Sequence, residues 1–228
     1  MTHLVLFLTL FMSQFQVNST IEGDLRGAWR SEEGVMIFAE DYFAYTIFTA
    51  KEFKHTYGGS WKTEGNSLIM NYEFNTEHPE KVGTTVNMTM QFDGNTVKLN
   101  DFPFQRIDDG SPGKLEGAWL FSNRQRNGEF GSPRAQNLPR KTMKLLSGTR
   151  FQWIAYNVDT KEFMGSGGGT YTTVDGKYTE NIDFFSRDNT RVGASLQFDF
   201  ERKESNWHHK GFSSKGDPMY EIWSLRKE

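Results

Sequence analysis

Five histidines, a run of glycines around one serine, and carboxylates set into apolar strands are the residues of this 228-residue chain that could do chemistry. The histidines are His3, His55, His78, His208 and His209. Only His208 and His209 are close in sequence, and neighbours on a strand point to opposite faces, so they do not form a pair of metal ligands. Gly165-Ser166-Gly167-Gly168-Gly169 lacks the lysine and following helix of a phosphate loop. Nor does Ser166 stand in the Gly-x-Ser-x-Gly turn that exposes a hydrolase nucleophile ahead of a helix. A barrel corner where backbones approach closely accounts for these glycines. The chain has no cysteine, which removes disulfides, thiolate metal sites, a thiol nucleophile and a lipid-attachment cysteine. No metal and no cofactor are expected. What remains is a carboxylate or an imidazole facing an apolar interior, and which residues face inward depends on the elements that carry them.

Composition points those elements toward strands. Aromatic residues make up 15% of the chain, with 22 glycines and only six prolines, which suits short twisted strands separated by turns. The 26 basic and 29 acidic residues are interspersed at a net charge of −3, so no whole-protein field exists to hold nucleic acid. Leu4 to Phe11 is an apolar run too short to span a bilayer as a helix but long enough for the core of a signal peptide. Val17 and Ser19 are the small residues before a cut ahead of Thr20, so residues 1–19 are expected to be a signal peptide and the mature chain to be secreted or periplasmic, without a stable membrane anchor.

The chain repeats itself. Leu25-Arg-Gly-Ala-Trp29 recurs as Leu115-Glu-Gly-Ala-Trp119, and residues 51–92 align without a gap on 161–202, ten of the 42 positions being identical. Such a unit is too long for a solenoid repeat, so each copy is read as a domain: 24–107 and 114–228, with the turn-rich 108–113 as linker. The offset changes from 90 to 110 because the second copy carries an insertion, Ser122 to Lys141, with five basic residues and one acid. A loop of that length is either a lid or decoration; we expect it to gate a site.

Within each copy alternation has period two. Val192, Ala194, Leu196, Phe198 and Phe200 point one way, as do Val82, Thr84, Val86, Met88 and Met90 in the first copy, and Leu68, Met70, Tyr72 and Phe74 form another inward stripe. Asp93-Gly94 and Asp175-Gly176 mark hairpins. About eight short strands per copy predict an all-β protein of two tandem antiparallel up-and-down barrels.

Gly27-Ala28-Trp29 and Gly117-Ala118-Trp119 resemble the Gly-x-Trp motif that opens the lipocalin fold, and Arg106 and Arg226 stand where such barrels place an arginine across that tryptophan. The chain as a whole resembles the mostly uncharacterised tandem lipocalin-like secreted proteins of Bacteroidetes. The resemblance implies a calycin-type fold and export, with Trp29, Trp119, Arg106 and Arg226 structural.

Comparing the copies separates scaffold from site. Leu68, Met70, Tyr72 and Phe74 match Tyr178, Glu180, Ile182 and Phe184, so a carboxylate faces inward where the first copy has methionine. A buried carboxylate needs a partner or access to water. One of His208 and His209 must also face inward, and we take His209. The first copy is thus expected to be apolar and filled, and the second to hold Glu180 and His209 in an aromatic cavity of Phe151, Trp153, Tyr178, Phe184 and Phe198, with Arg124 and Arg126 of the insertion at its mouth. That is the composition of a pocket for a small apolar or amphipathic molecule. Two alternatives stand beside this binding reading: an enzyme of the same fold doing acid/base chemistry of isomerase or hydratase type with Glu180 and His209, and a glycan-binding or interaction module using exposed aromatic residues. The ligand's identity and the oligomeric state are open.

Overall fold

The computed structural model describes residues 24–50, 52–213 and 216–227; the apolar run at 4–11 and the expected cut before Thr20 lie outside them. Period-two runs of aromatic and β-branched residues become strands, and the turn residues between them become hairpins. The first copy contains β1 (Gly27–Arg30), β2 (Gly34–Ala39), β3 (Tyr42–Thr49), β4 (Glu52–Glu64), β5 (Ser67–Asn75), β6 (Thr85–Asp93), β7 (Thr96–Leu99) and β8 (Phe102–Asp108). Each pairs antiparallel with the next, and β8 returns to β1 to close the barrel. The second copy repeats this with β9 (Gly117–Arg126), β11 (Arg140–Leu146), β12 (Arg150–Asn157), β13 (Phe163–Val174), β14 (Lys177–Phe185), β15 (Ser195–Lys203), β16 (Asn206–Phe212) and β17 (Pro218–Leu225), the last closing on β9. A two-residue strand, β10 (Glu129–Phe130), folds back on the end of β9. The protein is therefore all-β, two tandem up-and-down barrels of lipocalin-like type, and closure leaves no long free sheet edge. No helix among the described residues is long and apolar enough to cross a membrane.

Strand pairing gives the equivalence between copies residue by residue. Phe38 faces Phe43 as Leu146 faces Phe151, an offset of 108. Met90 faces Leu99 as Phe200 faces His209, an offset of 110. Val97 faces Phe104 as Trp207 faces Trp223, and there the last strand has moved to 119. Each shift is absorbed in a connection and leaves the barrel geometry intact.

The two barrels pack wall to wall about a local two-fold. Ala28, Val35 and Ile37 are buried against Ala118, Met143 and Leu145, their counterparts. Phe74 meets Tyr156 with ring centroids 4.9 Å apart, and the exchanged pair, Phe48 and Phe184, meets at the same distance. Phe53 stacks on its own counterpart Phe163, 6.1 Å apart and 5° from parallel. Self-complementary contacts of this kind are those of a two-fold dimer, here made within one chain. Gln152 crosses the seam, accepting from the Thr46 hydroxyl (2.8 Å) and donating to Thr56 Oγ1 (3.0 Å).

A bulge in each copy corrects the alternation reading at one position. Gly58 and Gly59 oppose Phe74 and Tyr72, and Gly168 and Gly169 oppose Phe184 and Ile182, so Glu73 and Asp183 are extra residues. An extra residue swings the strand's following side chains to the other face. Phe74 and Phe184 therefore leave their barrels and join the seam, and Phe184 is not a cavity residue. Glycine is required opposite them: a Cβ on Gly58 would lie 2.6 Å from the Phe74 ring, and one on Gly168 would lie 2.8 Å from that of Phe184.

The two arginines expected over the motif tryptophans part company. Arg106 lies 4.1 Å over Trp29, as the resemblance implies. The residue opposite Trp119 is Leu225, one short of Arg226, because of the shifted last strand. Arg202 approaches Trp119 instead, at 5.3 Å. Arg226 points across the seam, donates to both carboxylate oxygens of Glu73 (2.7 and 2.9 Å) and lies 3.8 Å over Tyr42. Replacing Arg226 by Ala leaves Glu73 in the seam with only the Tyr156 hydroxyl among these partners. The expected cost is about 2 kcal/mol in urea-melt stability, from a half-buried carboxylate deprived of its cation. The connection between barrels is anchored too: the Asp108 carboxylate accepts from the Ser147 hydroxyl (2.8 Å) and from the backbone N–H groups of Gly148 (2.9 Å) and Thr149 (3.0 Å).

Candidate functional site

Four polar residues of the second barrel stand at positions where the first is apolar. Lys144, Glu180 and His209 replace the buried Met36, Met70 and Leu99, and Glu221 replaces Phe102, which is exposed at the mouth of the first barrel. All four are buried, none being more than 5% exposed. They converge because β11, β14, β16 and β17 each turn an alternate position toward the barrel axis.

The cluster is built of two ion pairs with the imidazole beside them. Lys144 Nζ donates to Glu180 Oε1 at 2.7 Å, and the Tyr178 hydroxyl donates to the same oxygen at 2.8 Å. The Lys144 ammonium also lies 4.9 Å from the ring centre of Trp207, 5.1 Å from that of Tyr178 and 5.2 Å from that of Trp223, so aromatic faces supply part of the solvation it loses. Glu221 Oε2 accepts from Trp223 Nε1 at 3.0 Å, while Oε1 accepts from Arg124 Nε at 3.0 Å. His209 turns Nδ1 toward Glu221 Oε2 at 3.6 Å, beyond hydrogen-bond distance, and neither of its ring nitrogens has a hydrogen-bond partner among the described residues. Its ring packs on Phe198, 4.1 Å between centres.

Electrostatics follow from this packing. Burial first, and the Lys144 charge second, hold the His209 pKa down to about 4, against the opposing pull of Glu221 and Glu180. The imidazole is therefore neutral at pH 7. Burial raises the Glu221 carboxyl, but contact with His209 and the pairing with Arg124 outweigh it and set the pKa at about 2. Burial, followed by the Glu180 charge, pushes the Tyr178 hydroxyl well above its usual range, so it stays a donor.

A cavity of about 250 Å³ opens beside the cluster, bordered by Lys144, Glu180, His209 and Glu221 on one side and by Trp153, Leu196 and Phe198 among its apolar walls. The sequence-predicted residues divide as follows. Glu180, His209, Trp153 and Phe198 border the cavity, and Tyr178 holds Glu180 from behind. Phe151 is buried deeper, edge-on to Tyr178. His208 faces outward to the Tyr220 hydroxyl, 2.8 Å away. Arg124 reaches Glu221, whereas Arg126 lines a separate outer cleft of about 470 Å³ along the β9–β10 hairpin.

The inserted segment is not a free lid. It extends β9, turns through β10 and returns along the wall, with Arg134 N donating to Ser122 O (2.8 Å), Gln136 Nε2 to Leu225 O (3.0 Å) and Lys141 Nζ to Gln136 O (2.9 Å). Its contribution to the cluster is Arg124. The first barrel is apolar inside, as expected, but it is not filled: a cavity of about 510 Å³ lies at its mouth. Lys144 and Glu221 lie beyond connections that change the offset between the copies, so the gap-free block does not reveal them; offsets of 108 and 119 set them against Met36 and Phe102. No known family model matches the chain, and no curated protein matches it in sequence.

Proposed function

We propose that this is an exported lipocalin-like binding protein whose second barrel holds a small, neutral, amphipathic molecule. The observation that carries the reading is His209: a neutral imidazole, 1% exposed, at the edge of a cavity, with neither nitrogen hydrogen-bonded among the described residues. An unmet buried donor and acceptor cost free energy that a ligand hydroxyl or carbonyl would recover. The other charges are mutually balanced, Lys144 with Glu180 and Arg124 with Glu221, so a net charge on the ligand is not called for. Trp153, Leu196 and Phe198 would take its apolar body. Export rests on the apolar run at Leu4 to Phe11. The acid/base alternative is weaker, because Glu180 as proton carrier would have to release Lys144 and leave a buried ammonium unpaired.

Native mass spectrometry of the protein purified from its own host should show a bound small molecule. His209→Leu, the residue the first barrel carries at that position, should fold normally and lose about tenfold or more in affinity, as expected for one buried hydrogen bond. Equal binding by wild type and His209→Leu would sink the reading.

A further inference from the structure

The first barrel contains a second cavity whose chemistry is the reverse of the other. Three of its walls are the rings of Tyr45, Tyr57 and Phe104. Tyr45 meets Tyr57 edge to face at 5.4 Å and 63°, and meets Phe104 at 5.7 Å and 75°, so the rings form the sides of a box. Met36 and Met88 add polarizable, uncharged groups to the lining. At the rim stand Glu32 and Glu33, both exposed, while among the described residues neither lysine nor arginine lines the cavity. The other charged or titratable neighbour is His55, which is 3.6 Å from Glu77.

The second barrel shows what such an interior does with a cation. There the Lys144 ammonium sits among aromatic faces, 5.2 Å from Trp223. The first barrel has Phe104 in place of Trp223 and Met36 in place of Lys144. Aromatic walls remain, and the protein's own cation is gone. Negative π-faces and a carboxylate rim attract positive charge, and roughly 500 Å³ of space, within the usual range for ligand pockets, exceeds what a metal ion needs.

We propose that the first barrel binds an organic cation, a quaternary or protonated amine, in the box of Tyr45, Tyr57 and Phe104 with Glu33 at the entrance. This site is independent of the one around His209, so either can fail without the other.

Isothermal titration of the full chain with benzyltrimethylammonium, and with choline against its neutral carbon isostere dimethylbutanol, tests the proposal. Both cations should bind, and choline should bind about tenfold more tightly than the isostere. Tyr57→Phe keeps the π-face and should keep the affinity, whereas Tyr57→Leu should lose about tenfold. Glu33→Gln should weaken binding a few-fold and reduce its dependence on salt, as fits an exposed carboxylate. His209→Leu should bind these cations as wild type does. Equal affinity for choline and the isostere, unchanged binding by Tyr57→Leu, or no binding of either cation by the wild type would each overturn the assignment.

Discussion

Glu180→Met alone should destabilise the protein by about 3–5 kcal/mol, and adding Lys144→Met should restore most of that loss. Lys144 and Glu180 are each only 7% exposed at the side chain and joined at 2.7 Å, so removing the carboxylate leaves a largely buried ammonium without its counter-charge. Aromatic faces at about 5 Å offset part of this penalty but cannot replace a full counter-charge. Removing both charges is different. The first barrel carries Met36 and Met70 at the same two positions, both buried at 2% or less, so this backbone already accommodates two methionines there. Replacing a buried pair by apolar groups of similar volume is often neutral. Urea unfolding of wild type, the two single variants and the double variant closes the cycle. A double variant as unstable as the sum of the singles would show that the pair is not the coupled unit described.

That contrast between barrels was partly legible in the sequence, and the part that was not has a geometric cause. Inside the gap-free block of the repeat, Glu180 could be set against Met70, and alternation required one of His208 and His209 to face inward without deciding between them; the structure turns His209 in. Lys144 and Glu221 could not be placed, because the connections that change the offset lie between them and the block. Alternation also fails silently at a bulge. Both copies carry the extra residue, so the alignment shows no gap, and Phe184 reads as inward when it belongs to the seam. Arg226 misled for a related reason: one residue of slip on a strand reverses the face, and with it the partner.

The identities within the repeat have a different meaning from the one their position on strands suggests. Phe53 and Phe163, Gly58-Gly59 and Gly168-Gly169, Phe74 and Phe184 do not fill the barrels. The phenylalanines build the local two-fold as contacts, Gly58 and Gly168 leave the space the Phe74 and Phe184 rings occupy, and Gly59 and Gly169 admit the neighbouring backbone at the bulge. These shared residues belong to the surface by which the copies pair, whereas the interior keeps Leu25, Trp29 and their counterparts Leu115 and Trp119 but changes Met36, Met70 and Leu99 to Lys144, Glu180 and His209. A chain that keeps one docking surface while diverging inside has two cavities free to take different ligands on one rigid frame.

Stability should fall as pH drops from 6.5 toward 4, with His209 responsible for the first part of the loss. The folded protein holds the imidazole neutral, at a pKa of about 4 against 6.5 for the ordinary side chain, so the unfolded chain binds the proton more readily throughout that interval. The His209 contribution is fully present above about pH 6.5 and is lost as pH falls toward 4, about 3 kcal/mol in all at 1.36 kcal/mol per pH unit. Glu221 follows in a lower window: its pKa of about 2 in place of 4.5 gives a contribution present above about pH 4.5 and lost below it. The groups facing His209 are Lys144 on β11, Tyr178 and Glu180 on β14, and Glu221 on β17 with Arg124 behind it. Of these, Lys144 and Arg124 are ion-paired with the two carboxylates, so protonating His209 adds a positive charge that the cluster has no further carboxylate to balance. His209→Leu removes the titrating group without adding a charge, so its slope between pH 6.5 and 4.5 should be much reduced, leaving the part that comes from other groups such as His208, whose pKa partial burial also lowers, while the Glu221 loss below 4.5 persists. Chemical melts at half-unit pH steps measure both limbs. An unchanged slope between pH 6.5 and 4.5 in the variant would assign that window to other groups, and a lost slope below 4.5 would show that Glu221 depends on His209 more than on Arg124.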